Sequence, residues 1–178
     1  QPDVILWPEA VTPWPAIGND LMREWVESLV NEIGMPVLMG NLAVFRDVPR
    51  WYNAAMVVDP DEGLNEQFYA KRKLVPFGEF VPMRRWLPFI DTIVPVGDDF
   101  QRGREPTLLP LQPAGRESEL KAGPLICYED VFSHLARSSV RAGADFLFVA
   151  TNNAWFGEGG GAYQHAAHSV LRAVETRR

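Results

Sequence analysis

The sequence predicts an α/β fold with a partly parallel sheet, and three observations predict it. Short apolar runs alternate with longer stretches of helical periodicity along the whole chain, the pattern of sheets covered by helices. At 178 residues, with 47% hydrophobic and 22% charged side chains, the chain has the size and composition of one globular domain. Several apolar runs also end abruptly on a polar residue, as strands do at the rim where α/β sheets bind ligands.

Each element has its own local reason. Residues 3–7, Asp-Val-Ile-Leu-Trp, read as a strand. Asn19 can cap a helix running to Ile33, with Gly34 just past its end. Leu21, Trp25, Leu29 and Ile33 recur four apart there and are expected to form the face that meets a sheet. Residues 36–43 and 51–58 follow as strands, and the Asp-Pro-Asp-Glu-Gly turn at 59–63 leads to a hairpin partner at 66–70. Residues 120–127 form a strand and 131–142 a helix. Residues 145–150 are apolar enough to predict a strand buried on both faces. A helix over 163–176 closes the series.

The segment 81–96 fits neither element type. Its prolines argue against a central strand or a long helix, yet its apolar content is that of a core. Two readings stand: a loop buried under its own side chains, or a lid. In the lid, Trp86, Phe89, Ile90 and Ile93 would face lipid, and Arg84 and Arg85 would meet headgroups.

Three polar residues at run ends carry the chemistry. Cys127, the single cysteine, closes the apolar run Gly-Pro-Leu-Ile and is followed by Tyr128, Glu129 and Asp130. Glu9 follows Trp7-Pro8, and Lys71 follows the run that ends at Ala70. A carboxylate can take a thiol proton, and an ammonium can stabilise an oxyanion. Taken singly, each has a plain alternative: a free cysteine usually packs as a small hydrophobe, and Glu9 and Lys71 could be solvated loop residues.

The motifs narrow those alternatives. Trp7-Pro8-Glu9, Tyr69-x-Lys71-x-x-Leu74-Val75-Pro76-Phe77-Gly78-Glu79 and Ile126-Cys127-Tyr128-Glu129 resemble the Glu-Lys-Cys motifs of the nitrilase (carbon–nitrogen hydrolase) superfamily. The extended Leu-Val-Pro-Phe-Gly-Glu-Phe-Val-Pro run is similar to that of the apolipoprotein N-acyltransferase family. So are Thr151-Asn152-Asn153-Ala154-Trp155-Phe156-Gly157, Gln164-His165 and Arg172-Ala173-Val174-Glu175. The resemblance runs from residue 7 to residue 175. It departs from the family at Asn153, where Asp is usual, and at Gly159–Ala162. It also implies that membrane helices, an opening strand and helix, and closing strands of the domain lie outside the chain. On that basis 1–178 is expected to be one partial domain, with an unpaired sheet edge and a tendency to self-associate.

The resemblance implies an α-β-β-α sandwich and an acyltransferase that moves an acyl chain from a phospholipid, through a Cys127 thioester, to the N-terminal amine of a diacylglyceryl-cysteine lipoprotein. Glu9 would be the general base and Lys71 the oxyanion stabiliser, in preference to Lys73. Glu79 and Glu129 would orient the site. Trp155, Trp86 and Phe89 would contact the acyl donor. A helix starting near Asp130 would favour thiolate through its dipole. The implied setting is the extracytoplasmic face of a bacterial cell membrane, with the membrane surface as a partner. The same triad also suits a soluble amidase, and without reactivity the chain would be a lipid- or peptide-binding module.

Several classes are disfavoured. A net charge of −6 argues against nucleic acid. No run approaches the roughly 18 apolar residues of a spanning helix. His165 and His168 are expected to be solvated or satisfied in the core rather than metal ligands, and the implied chemistry needs no cofactor. The glycines at 157–161 lack the Lys-Ser/Thr of a phosphate-binding loop.

Overall fold

Residues written at alternate positions build the layers. The computed structural model describes residues 2–45, 47–48, 50–84 and 98–178. Its strands are β1 (Ile5–Trp7), β2 (Val37–Phe45), β3 (Arg50–Asp59), β4 (Gly63–Ala70), β5 (Leu109–Leu111), β6 (Leu120–Ile126) and β7 (Phe146–Ala150). The helices are α1 (Asp20–Ile33), α2 (Ser133–Arg141) and α3 (Gly161–Thr176), with 3-10 turns at Cys127–Val131 and Asn153–Phe156. Strands β1 to β4 form one sheet in that order, with β1 parallel to β2 and the rest antiparallel. The second sheet runs β5-β6-β7, antiparallel then parallel.

Along β3, Ala54, Met56 and Val58 pack with Val26 and Val30 of α1, while Ala55 and Val57 turn to the opposite face. That opposite face meets Leu109, Leu111, Ala122, Ile126 and Phe148 of the second sheet. The second sheet's outer face, at Leu125, packs on Leu135 and Ala136 of α2. Strand side chains alternate faces with period two, so the order of layers is α1, sheet, sheet, α2. This is the α-β-β-α sandwich that the motifs implied.

The helix α1 keeps its predicted ends. Asn19 Oδ1 accepts from Met22 N at 3.0 Å, and Gly34 closes the helix at φ 68°. Its buried face differs from the predicted one. Leu21 and Trp25 are 79% and 53% exposed, and Val26 and Val30 enter the core instead. β-branched residues with partners on the sheet displace the bulkier stripe. Leu21→Gln is therefore expected to change stability by no more than about 0.5 kcal/mol, whereas Val30→Ala should cost about 2 kcal/mol; urea denaturation of the two variants checks this.

Other boundaries also shift. The strand predicted to include Cys127 ends at Ile126, and the helix predicted from 131 begins at Ser133. β7 is half-buried rather than buried on both faces, because it pairs only with β6 among the described residues. Of the segment 81–96, only 81–84 are described: Val81 is buried and Met83 exposed. Trp86, Phe89, Ile90 and Ile93 lie outside the described residues. No helix among the described residues is long and apolar enough to cross a membrane.

Candidate active site

Three strand ends deliver the polar residues to one place. β1 stops before Pro8, and Glu9 follows on a loop held by a Val11 N bond to Gly40 O at 3.3 Å. Gly40 is required there: a Cβ would stand 2.8 Å from Glu9 Cα and 2.8 Å from Pro8 O. Lys71 leaves the end of β4 with its N–H donating to Asn53 O at 2.8 Å. Cys127 leaves the end of β6 in the left-handed region, at φ 53°. That conformation is costly for a residue with a Cβ and collects at functional sites.

The Lys71 ammonium is buried between carboxylates. Its Nζ lies 2.8 Å from Glu79 Oε1 and 3.5 Å from Glu9 Oε1. Burial alone would lower its pKa, but Glu79 and then Glu9 outweigh it and the net shift is upward. Lys71 is therefore a fixed positive charge throughout the physiological range. The Val75–Glu79 loop closes on itself through Glu79 N to Val75 O at 2.9 Å and Val75 N to Glu79 Oε2 at 2.8 Å. The Pro-Phe-Gly-Glu motif thereby becomes a clamp on Lys71. Lys73 is turned away, with its Nζ 5.6 Å from the centre of the Phe132 ring.

Cys127 feels both charges. Burial raises the thiol pKa, the Glu9 carboxylate raises it further, and Lys71 and a hydrogen bond from Thr151 oppose them; the net shift is upward. The expected help from a helix dipole is absent, because the thiol starts a five-residue 3-10 turn and α2 begins only at Ser133. The site thus holds a thiol beside a carboxylate that can accept its proton. Since burial and Glu9 both penalise the thiolate, alkylation of Cys127 by iodoacetamide should rise with pH in a step above the ordinary cysteine range. A step at or below that range would contradict this.

Glu79 and Glu129, expected to orient the site, make contacts of different kinds. Glu79 holds the Lys71 side chain itself. Glu129 is buried and holds backbone: Oε1 accepts from Arg72 N at 2.7 Å and Lys73 N at 2.9 Å, and Oε2 from Ile126 N at 2.8 Å and Tyr69 OH at 2.7 Å. One carboxylate thus ties the exit of β4 to the exit of β6. Burial pushes its pKa up against those hydrogen bonds. Trp155 lies on the Asn153–Phe156 turn with its side chain 85% exposed, so it lines no enclosed pocket in this state. Trp86 and Phe89 are outside the described residues.

Sequence reasoning assigned no part in the site to Asn53, Asn152 or Arg72. Asn53 Nδ2 donates to Glu9 Oε1 at 2.8 Å and Glu79 Oε1 at 2.7 Å, holding both carboxylates from one amide. A polar residue amid the apolar run of β3 was the available signal. Asn152 N donates to Glu9 Oε2 at 3.2 Å. Arg72 is buried and donates to Tyr69 OH, Ser138 Oγ and Leu135 O. His165, expected to be solvated or satisfied in the core, is buried with Asn153 against one side of its ring.

Known proteins resemble this chain in sequence and in fold. The Carbon-nitrogen hydrolase family profile matches residues 2–178. The chain is 33% identical over 180 residues to an apolipoprotein N-acyltransferase of Geobacter metallireducens, covering 98% of this chain and 33% of that protein. It is 35% identical over 183 residues to one of Allorhizobium ampelinum, covering 99% of this chain and 33% of that protein. The chain thus spans about a third of the length of these curated relatives. The crystal structure of Saccharomyces cerevisiae Nit3, a member of branch 10 of the nitrilase superfamily, superposes with a TM-score of 0.64 at 17% identity, over 98% of this chain and 59% of that one. The two packed sheets, the helices outside them and the family match together make the chain a member of the carbon–nitrogen hydrolase family.

Proposed function

We propose that this chain is the catalytic part of an N-acyltransferase that moves an acyl chain from a phospholipid to the N-terminal amine of a diacylglyceryl-cysteine lipoprotein. The observation that carries the reading is the grouping of Cys127, Glu9 and the doubly clamped Lys71 at three strand ends. The identity to apolipoprotein N-acyltransferases over nearly the whole chain favours acyl transfer over simple amide hydrolysis.

The chemistry follows from the charges. Glu9 takes the Cys127 proton as sulfur attacks the ester carbonyl of the phospholipid. The new oxyanion forms beside the Lys71 ammonium, which Glu79 and Asn53 hold in place without moving during reaction. Collapse breaks the ester C–O bond, the proton on Glu9 goes to the leaving alkoxide, and lysophospholipid departs. The lipoprotein amine then attacks the thioester carbonyl and gives a proton to Glu9. Collapse expels the thiolate, which recovers that proton, and an amide remains.

A lipid-facing setting has support in the loops that follow the triad. Val11 and Trp14 after Glu9, Phe77 and Met83 after Lys71, and Trp155 and Phe156 after β7 are all exposed. Exposed aromatic and aliphatic residues on such loops suit a membrane surface. We place the site on the extracytoplasmic face of the bacterial cell membrane.

The test is a transfer assay with the full-length protein in phospholipid vesicles and a diacylglyceryl-cysteine peptide. The reading predicts peptide amide and lysophospholipid in equal amounts. Hydrolysis of small amides without transfer would favour an amidase instead.

A further inference from the structure

Two buried ionisable side chains take no part in that chemistry. Asp130 lies three residues after Cys127 on the same 3-10 turn, and His165 is the sole fully buried residue of α3. His165 Nε2 stands 3.2 Å from Asp130 Oδ1, and neither atom has a hydrogen-bond partner among the described residues. On its other side, His165 Nδ1 lies 2.7 Å from Asn153 Oδ1, which also accepts from Thr151 Oγ1 at 3.3 Å. Asn153 therefore turns its acceptor to the ring, and Nδ1 carries a proton. Asp130 is fixed further by Ser169 Oγ at 2.7 Å, and its carbonyl by Arg172 Nη1 at 3.2 Å.

This chain of contacts ends on the triad. The Thr151 hydroxyl is near enough to the Cys127 thiol to lower its pKa, and the N–H of Asn152 donates to Glu9 Oε2 at 3.2 Å. Loop 151–153 thus reaches both the nucleophile and the base, and His165 stands between that loop, at Asn153, and the turn that begins with Cys127, at Asp130. We propose that His165, bridged to Asp130, is a positioning residue: it fixes the loop through Asn153, so that Thr151 and Asn152 aim Cys127 and Glu9 at one another.

The Thr151 hydroxyl explains why an anchor is needed. It has one proton, which can go to Asn153 Oδ1 or to the Cys127 sulfur, but not both. While the thiol is intact, it can rest on Asn153. When sulfur becomes negative, the hydroxyl turns to it, and His165 Nδ1 still satisfies Asn153. Without His165, Asn153 would compete for that proton and the loop would lose its tie to α3.

The inference rests on the nucleophile and base proposed above, and the experiment separates the two. In full-length protein, His165→Phe, His165→Gln, Thr151→Val and the double variant His165→Phe/Thr151→Val are compared. Two readouts are used: the pH dependence of Cys127 alkylation without substrate, and kcat and KM for acyl transfer. His165→Phe should move the alkylation step to higher pH and lower kcat roughly 10–100-fold with little change in KM, the scale of a small misplacement. Thr151→Val should do the same, and the double variant no more than either alone. His165→Gln keeps an N–H donor for Asn153 and should recover most of the loss. Independent, multiplying effects in the double variant, or an unmoved alkylation step in a folded His165→Phe protein, would overturn the proposal. Should His165→Phe fail to fold, the proposal is decided by Thr151→Val and His165→Gln, and an unmoved step in Thr151→Val overturns it. A wild-type protein without acyl transfer would instead refute the proposed function and leave the alkylation result standing.

Discussion

Acyl transfer should fall to background in Cys127→Ala and about 10²–10⁴-fold in Glu9→Gln, the usual worth of a general base. Lys71→Met should be worse than either for the molecule as a whole. It removes the oxyanion partner, worth about 10²–10³-fold by itself. It also leaves Glu9 and Glu79 as neighbouring carboxylates around one Asn53 amide, with no cation between them. Like charges in that position force one carboxyl to take up a proton, and stranding buried charge costs roughly 3–5 kcal/mol. Lys71→Met is thus expected to lose activity and stability together, while Cys127→Ala loses activity alone. Thermal unfolding beside the transfer assay distinguishes the two patterns. A Lys71→Met protein as stable as wild type would show that the carboxylate pair does not depend on that ammonium.

The largest effect on folding is expected at Glu129. Glu129→Leu removes the acceptor for three backbone N–H groups, of Arg72, Lys73 and Ile126, and for Tyr69 OH. An unsatisfied buried donor costs about 1–3 kcal/mol, so four of them rival the whole stability of a domain, about 5–15 kcal/mol. Glu129→Leu should therefore yield little folded protein. Glu129→Gln retains one acceptor oxygen and should fold with several kcal/mol less stability, measured by urea denaturation. A Glu129→Leu protein of normal stability would mean that the two strand ends are held by something other than this carboxylate.

The parts legible in the sequence were those fixed by local chemistry. Asn19 and Gly34 mark the ends of α1 because capping needs those residue types. The run ends at Glu9, Lys71 and Cys127 are visible because an apolar strand turning polar leaves a sharp boundary. What was hidden depended on tertiary context. Leu21 and Trp25 repeat as a core stripe should, yet the sheet accepts Val26 and Val30 instead. β5 has three residues with Pro110 in the middle, too short to show a period. The motifs singled out Glu129 but not its partners, and Asn53 not at all; both join residues far apart in the chain, which no spacing rule reveals. The thiol's upward shift also followed from burial and from Glu9, and no α-helix starts at the thiol to oppose them.

The central claim is a covalent acyl group on Cys127, and it can be weighed directly. Full-length protein incubated with phospholipid carrying a labelled acyl chain, without acceptor, should gain the mass of one acyl group. Proteolysis should place that group on the peptide containing Cys127, and neutral hydroxylamine should remove it as a thioester. Adding the diacylglyceryl-cysteine peptide should move the label to the peptide amine. Amide formation with no labelled enzyme at any time, or label on a residue other than Cys127, would contradict the account.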